Sequence, residues 1–221
     1  MFIGHFALGF AAKRLTPRVS LPILFGAAQL ADILWPFLVA FGIEQVRIVP
    51  GITASTPFDF VSYPYSHSLL FLIIWGVIFG FLCSRTVGNG RTFIVIAALV
   101  VSHWVLDFVT HRPDMPLYPG SPKFGLGLWN SVAGTIAVEL VMFAAGVWIY
   151  VRATRARDRI GQWTFWSLIA LFLVAYLGNV SAAPPSSVMA LSLFAIVAAA
   201  LTLLWSWWAD RHREPVRLRD S

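Results

Sequence analysis

The sequence predicts an all-α, polytopic transmembrane helix bundle. Of the 221 residues, 58% are apolar and only 12% are charged, whereas ordinary soluble domains are about 45–50% apolar and about 25% charged. The mean hydropathy is +0.76, and several apolar runs approach the length of about 20 residues that a helix needs to span a bilayer. Since backbone groups in lipid must be satisfied within their own segment, these runs are expected to be helices. Residues 1–221 are therefore expected to form a single integral membrane domain.

Six hydrophobic runs bounded by glycine, proline or charged residues are the expected spans. They cover residues 19–43, 66–84, 92–110, 131–151, 163–178 and 187–208. A shorter apolar stretch, residues 1–12, ends at Lys13 and Arg14, and its length indicates a partly inserted helix. Signal peptides carry their positive charge before the apolar region, so this stretch is expected to remain in the mature fold.

The distribution of basic residues predicts the orientation. Thirteen of the sixteen lysines and arginines fall on one side of the predicted bundle, and the positive-inside rule places that side, with the C-terminus, in the cytoplasm. The chain is thus expected to be a multi-pass protein of the bacterial inner membrane, with loops 44–65 and 111–130 facing outward. The basic side comprises Lys13, Arg14, Arg18, Arg85, Arg91, Arg152, Arg155, Arg157, Arg159, Arg211, Arg213, Arg217 and Arg219; the other comprises Arg47, Arg112 and Lys123.

Charge and cysteine content exclude two functional classes. A net charge of +6 would suggest nucleic-acid binding in a soluble protein, but here the charges follow the membrane pattern, so no nucleic-acid partner is expected. The single cysteine, Cys83, lies in an apolar run, which excludes an intramolecular disulfide and a cysteine metal cluster. Any metal must bind histidine and carboxylate. The sequence makes no prediction of the oligomeric state.

Ionisable residues interrupt or flank the predicted spans. Such groups are costly in hydrocarbon, so they are expected to face the bundle interior and one another, and they are functional candidates. At about 1.5 Å of rise per residue, they reach similar depths in the outer half of the bilayer. The set comprises His5, Asp32, His67, His103, Asp107 and Glu139, and His111 extends it because residues 103, 107 and 111 share one helical face.

This set predicts a divalent metal site. Neutral imidazoles and carboxylates in a low-dielectric bundle suit such an ion, because the ion supplies the positive charge that buried carboxylates lack. Zinc is the first expectation, and manganese or iron accept the same ligand types. A proton relay through histidines and carboxylates is the alternative.

Four motifs in the first 140 residues occur in a recognisable order. They are GHFALG around His5, ADILWP around Asp32, SHSLL around His67 and SHWVLD with His103 and Asp107. In this order they resemble the YdjM-like family of membrane-bound proteins, for which a metal-dependent hydrolase activity is proposed. The family's usual Pro-Asp-x-Asp element is reduced here to residues 31–34, Ala-Asp-Ile-Leu.

The same order is also similar to the zinc-dependent phospholipase C and single-strand nuclease group, whose helical proteins cleave phosphodiesters with three zinc ions. That similarity implies one site formed by Asp32, His67, His103 and Asp107, with Asp107 bridging toward a second ion held partly by His5. The group's later His-x-x-x-Glu element falls on Thr135 and Glu139, so the histidine ligand of the third zinc site is missing. His111 would replace that ligand only in part. One or two metal ions are therefore expected.

The expected activity is hydrolysis of a phosphoester on a membrane lipid or lipid-linked substrate. Asp32 or Glu139 would act as the general base. Arg112 and Lys123 in the outer loop are candidates for contacts with a phosphate headgroup, although cations at helix ends usually anchor a protein at the interface.

Two other functional classes remain open. A proton- or metal-ion-coupled transporter would use the same ionisable residues, but it predicts polar residues continuing toward the cytoplasm, and the inner halves of these helices contain few, as at residues 93–96 and 140–143. A non-catalytic membrane protein with a structural metal would hold an ion without an open coordination position.

Overall fold

The computed structural model describes residues 1–87 and 89–216. Arg217 and Arg219, which contribute to the predicted charge asymmetry, lie outside the described residues. Within these ranges the helices are α1 (Ile3–Leu15), α2 (Leu21–Ala28), α3 (Leu30–Ala40), α4 (Pro64–His67), α5 (Leu69–Val87), α6 (Gly90–Thr110), α7 (Val132–Ala153), α8 (Arg159–Ser181) and α9 (Val188–Arg211).

Short antiparallel strand pairs close the two ends of the bundle. The described pairs are β1 (Gln45–Ile48) with β2 (Phe58–Ser62), β3 (Met115–Pro116) with β4 (Lys123–Phe124), and β5 (Thr154–Ala156) with β6 (Arg213–Pro215). The predicted all-α class is confirmed. Among the described residues, α5 to α9 are long and apolar enough to cross a membrane, and the pair of α2 and α3 makes a sixth candidate if it counts as one span.

The run at residues 19–43 differs from a simple spanning helix. It is broken at Gln29, and α2 and α3 meet at an angle of 60°. Gln29 leaves the helical region with φ −109° and ψ 12°, and the carbonyl of Ala28 accepts a hydrogen bond from His103. His103 on α6 thus satisfies the carbonyl of Ala28, which the break leaves without a helical partner. Backbone groups at a helix break within a membrane need such a partner.

The N-terminal stretch forms a helix, α1, that is buried among the longer ones. It packs tightly against α7, where a Cβ on Gly146 would lie 2.4 Å from the carbonyl oxygen of Ala7. Phe6 and Phe10 pack edge-to-face against Phe25 of α2, with ring centroids 5.0 and 4.8 Å apart. This packing fixes α1 in the core, and His5 with it.

The outer surface of the bundle is apolar. Val141, Val174 and Phe194 are 69–74% exposed, which agrees with helices that face lipid rather than water. The chain is thus a multi-pass membrane protein in composition and in architecture.

A buried ion pair closes the end of the bundle opposite the ionisable cluster. Lys13 Nζ lies 2.7 Å from Asp210 Oδ1 and donates to the carbonyl of Val19 at 2.9 Å. Asp210 also accepts the N–H of Leu21 at 3.0 Å. These contacts join α1, the start of α2 and the end of α9.

Candidate metal centre

The predicted ligands come from four helices and meet at one end of the bundle. His5 lies on α1, Asp32 on α3, His67 at the end of α4, and His103 and Asp107 on α6, which His111 follows directly. All except Asp32 are buried. The fold thus brings together six of the residues that the sequence singled out.

Asp107 is the hub of the cluster. Its Oδ1 lies 3.0 Å from His5 Nε2, and its Oδ2 lies 3.2 Å from His103 Nε2. The same Oδ2 lies 3.7 Å from His111 Nε2 and 3.8 Å from His67 Nε2. Each of the four imidazoles therefore directs its Nε2 atom toward the carboxylate of Asp107.

Asp32 forms the open side of the cluster. Its Oδ1 lies 3.4 Å from His67 Nε2 and 3.7 Å from His103 Nε2, and its side chain is 42% exposed, whereas that of Asp107 is 3% exposed. Two overlapping groups have all their ligand atoms within 4.8 Å of one another: His5 with His103 and Asp107, and Asp32 with His67 and His103. His103 belongs to both groups.

Hydrogen bonds on the far side of the rings fix the orientation of two imidazoles. His103 Nδ1 lies 2.8 Å from the carbonyl oxygen of Ala28, and His111 Nδ1 lies 2.9 Å from Asp114 Oδ1. A carbonyl and a carboxylate only accept hydrogen bonds, so both Nδ1 atoms carry the proton. In the neutral tautomer, each Nε2 then presents a lone pair to Asp107.

A buried chain of hydrogen bonds also places the proton of His67 on its Nδ1 atom. Ser66 Oγ donates to Glu44 Oε2 at 2.6 Å, so its single proton is used, and His67 Nδ1 donates to Ser66 Oγ at 2.7 Å. Glu44 Oε1 accepts the backbone N–H groups of Tyr65 and Ser66 at 2.8 and 2.9 Å. Carboxylates and carbonyls behind histidine ligands have this orienting role in metal sites.

The residues present fit a divalent metal. With Nδ1 protonated, three imidazoles in their neutral form would place lone pairs beside carboxylate oxygens that also only accept, an arrangement that a divalent cation between them would satisfy. His103 Nε2 is buried and has no hydrogen-bond partner among the described residues. The amino group of Met1 lies 2.5 Å from Asp107 Oδ1 and supplies one positive charge at that oxygen. Three of the imidazoles face the other oxygen, Oδ2, which this amino group does not contact.

His111 and Tyr63, which both lie outside the spanning helices, have shifted pKa values. Burial lowers the pKa of His111 despite the opposing attraction of Asp107 and Asp114, so its neutral form, the form that can bind a metal, is favoured. Burial and the neighbouring Asp114 raise the pKa of Tyr63 well above its usual value. Its hydroxyl therefore stays protonated and donates to Asp114 Oδ1 at 2.9 Å.

Glu139 lies apart from both groups of ligand atoms. Its Oε2 accepts the backbone N–H groups of Phe2 at 2.8 Å and Gly4 at 3.1 Å, so the carboxylate caps the start of α1. Thr135, at the position of the missing histidine, donates instead to the carbonyl of Leu128 at 3.0 Å.

The two candidate phosphate contacts already have partners in the loops at this end of the bundle. Arg112 pairs with Asp59, and its Nε lies 3.3 Å from Asp114 Oδ2. Lys123 Nζ donates to the carbonyls of Phe60 and Val61 at 3.3 and 2.8 Å. Both cations therefore connect the segment of residues 111–130 to strand β2.

The orienting residues were not identified from the sequence. Ser66 directly precedes His67, and Asp114 follows His111 by three positions, so a search for polar neighbours of the histidines would have found both. Glu44 and the carbonyl of Ala28 are distant in sequence from the rings they serve, and only the folded chain shows them.

Comparison with known proteins identifies the family. No curated protein and no solved structure matches the chain, so the similarity to the zinc-dependent phospholipase C and nuclease group gains no support. Residues 1–183 match the model of the YdjM inner membrane protein family. The match extends beyond the motifs of the first 140 residues and includes α8, which the sequence motifs had left outside the resemblance. Because it covers most of the 221 residues, the chain belongs to the YdjM inner membrane protein family.

Proposed function

We propose that this protein is a membrane-embedded, metal-dependent hydrolase that acts on a phosphoester of a lipid or lipid-linked substrate. One observation carries the proposal. Three imidazoles with occupied Nδ1 atoms direct their Nε2 atoms toward the buried carboxylate of Asp107. Packing alone gives no reason for such a convergence of acceptors, and a bound cation does.

The proposed ligands follow from the two overlapping groups. His5, His103 and Asp107 would hold one ion, and Asp32 and His67 would share His103 with that group or hold a second ion. Nitrogen and oxygen donors in such numbers suit zinc. A divalent ion of this kind supplies Lewis acidity, which activates water and stabilises negative charge on a phosphoryl oxygen.

The chain's own residues divide the remaining tasks. Asp32 is the exposed carboxylate of the cluster, so it is positioned to accept a proton from water that enters at the open side. His5, His103 and Asp107 are almost fully buried, which excludes water from the opposite side. An exposed edge on a buried ligand set is the arrangement of a catalytic site, since a purely structural metal site is closed.

The position of the cluster favours a substrate at the membrane surface. His111 follows the last residue of the spanning helix α6, and His67 lies two residues before the first residue of α5. The ends of spanning helices lie near the headgroup region, where the phosphoester of a lipid is found. By the charge distribution this is the outer side, and β5, β6 and the end of α9 face the cytoplasm.

The direct test is the metal content of the purified, detergent-solubilised protein, measured by elemental mass spectrometry. We expect wild type to carry zinc or another divalent ion, and His103→Ala and Asp107→Ala to lose it. His212→Ala is the matched control, because His212 pairs with Asp158 at the opposite end of the bundle. All four preparations are also assayed for hydrolysis of a panel of lipid phosphoesters.

The outcomes separate the alternatives. Loss of metal and of phosphoesterase activity in the two site variants, with both retained in His212→Ala, supports the proposal. Full metal occupancy in His103→Ala and Asp107→Ala contradicts the site assignment. A metal-loaded wild type that cleaves no ester would favour a transporter or a structural metal.

A further inference from the structure

A cavity of about 190 Å³ lies at the end of the bundle opposite the candidate metal centre. One wall is the turn between α1 and α2, residues 15–19, and the other is formed where α5 ends and α6 begins, including Val87, Asn89, Arg91 and Thr92. A water molecule occupies roughly 30 Å³ of liquid, so the cavity accommodates a phosphate group together with several waters.

The described lining of the cavity is positively charged. Arg18 and Arg91 line it from opposite walls, and none of the described lining residues is acidic. Within residues 1–87 and 89–216, the acidic side chains at this end are already paired: Asp210 with Lys13, Asp158 with His212, and Glu214 with Arg155 and Arg157. In this part of the chain, an anion that enters the cavity therefore meets two guanidinium groups and no competing carboxylate.

Both walls are held in place by hydrogen bonds. The turn that carries Arg18 is fixed because Lys13 Nζ donates to the carbonyl of Val19, and the backbone N–H of Val19 bonds to Thr16 at 3.0 Å. On the other wall, Asn89 caps α6 by accepting the N–H of Thr92 at 2.8 Å and its hydroxyl at 2.9 Å. The first turn of α6, which includes Arg91, adds the partial positive charge of a helix N-terminus.

We propose that this cavity binds an anionic phosphate group, which in the membrane is the headgroup phosphate of an acidic phospholipid. The spanning helix α5 ends at Val87 and α6 begins at Gly90, so the cavity lies at headgroup depth. Leu15, which is 46% exposed, and Val87 give it an apolar edge for the start of an acyl chain. Arginine suits this ligand because its planar guanidinium group binds phosphate oxygens in pairs.

The test is a lipid titration of the full-length protein in mild detergent, followed by native mass spectrometry. The probes are dioleoylphosphatidylglycerol and the zwitterionic dioleoylphosphatidylcholine, each with and without inorganic phosphate as competitor. We expect wild type to retain phosphatidylglycerol preferentially. The combined Arg18→Gln, Arg91→Gln variant should bind it roughly ten- to thirtyfold more weakly, since each arginine near an anionic lipid contributes about fivefold.

Controls keep the result interpretable. Arg152→Gln is the matched control, because Arg152 lies at the same end but stacks on Trp148, with its guanidinium carbon 5.5 Å from the ring centroid. The single variants Arg18→Gln and Arg91→Gln should each show part of the loss. Displacement of the lipid by inorganic phosphate at comparable concentration would support the anion site and assign it to free phosphate. Equal retention of the two lipids by wild type, or unchanged affinity in the combined variant, would overturn the proposal.

Discussion

His103 Nδ1 lies 2.8 Å from the carbonyl oxygen of Ala28, the last residue of α2. The helix break at Gln29 makes this contact possible, because the last carbonyls of a helix have no partner within it. The break thus serves the candidate centre in two ways. It supplies the acceptor that fixes the tautomer of His103, and it starts α3, which presents Asp32 to the same imidazole.

Ser66→Ala should weaken metal binding without abolishing it. The hydroxyl of Ser66 connects His67 to Glu44, and loss of such an orienting contact typically costs about 10–100-fold in metal affinity. The measurement is a competition titration with a chromophoric zinc chelator. Ser68→Ala is the control, since the Ser68 hydroxyl is buried nearby but accepts the N–H of Phe71. Equal affinities for the two variants would contradict the orienting role.

The sequence predicted which ionisable residues cluster more accurately than it predicted the residues that orient them. His103, Asp107 and His111 were found because costly ionisable groups in apolar runs share one helical face. The 60° break between α2 and α3 was not predicted, because its benefit is a hydrogen bond to α6 that no local pattern records. Arg112 and Lys123 were interpreted as candidate phosphate contacts or interfacial anchors, and their partners Asp59, Phe60 and Val61 were not identified because only the β1–β2 hairpin brings them close.

Gly146→Ala should destabilise the bundle by about 1–3 kcal/mol, the usual cost of overpacking a tight contact. A methyl group at this position would meet the backbone of Ala7, so α1 must move, and His5 moves with it. Metal content should therefore fall together with the thermal unfolding midpoint in detergent. Gly178→Ala is the control, because a Cβ there has open space within 4 Å. Similar midpoints for the two variants would show that α1 is not packed against α7 as described.

Tyr118→Cys should be labelled by a membrane-impermeant thiol reagent in intact cells, whereas Arg155→Cys should be labelled only after permeabilisation. Tyr118 lies in the loop at the candidate metal centre and is 52% exposed, and Arg155 lies on β5 at the basic end, where its side chain is 72% exposed. The positive-inside rule places the basic end in the cytoplasm. A Cys83→Ala background removes the native thiol. Labelling of Arg155→Cys but not Tyr118→Cys in intact cells would reverse the proposed orientation.

Asp210→Asn should cost about 3–5 kcal/mol of stability, because it leaves the buried ammonium of Lys13 without its charged partner. The side chains of Lys13 and Asp210 are only 6% and 13% exposed. Glu214→Gln provides the comparison, since Glu214 pairs with a largely exposed Arg155 and such surface pairs contribute about 0–1 kcal/mol. Unfolding would be followed in mixed micelles with increasing denaturing detergent. A loss in Asp210→Asn no greater than in Glu214→Gln would show that the pair is solvated.

Glu139→Gln should retain the metal and most of the hydrolytic activity. Glu139 was one of two candidate general bases in the sequence, yet its Oε2 is occupied by the N–H groups of Phe2 and Gly4. Glutamine keeps an oxygen acceptor for both, so α1 stays capped, whereas Glu139→Ala removes the acceptor and should cost about 1 kcal/mol.

Asp32→Asn is the informative counterpart, because Asp32 is the exposed carboxylate beside His67 and His103. The amide of asparagine does not act as a base, so activity per bound metal should fall by about 100-fold or more, the usual contribution of a general base. Activity must be divided by metal content in every preparation, since Asp32 is also a candidate ligand. If Glu139→Gln instead loses its activity at full metal occupancy, the proton acceptor is Glu139, and the backbone contacts to α1 serve to aim it.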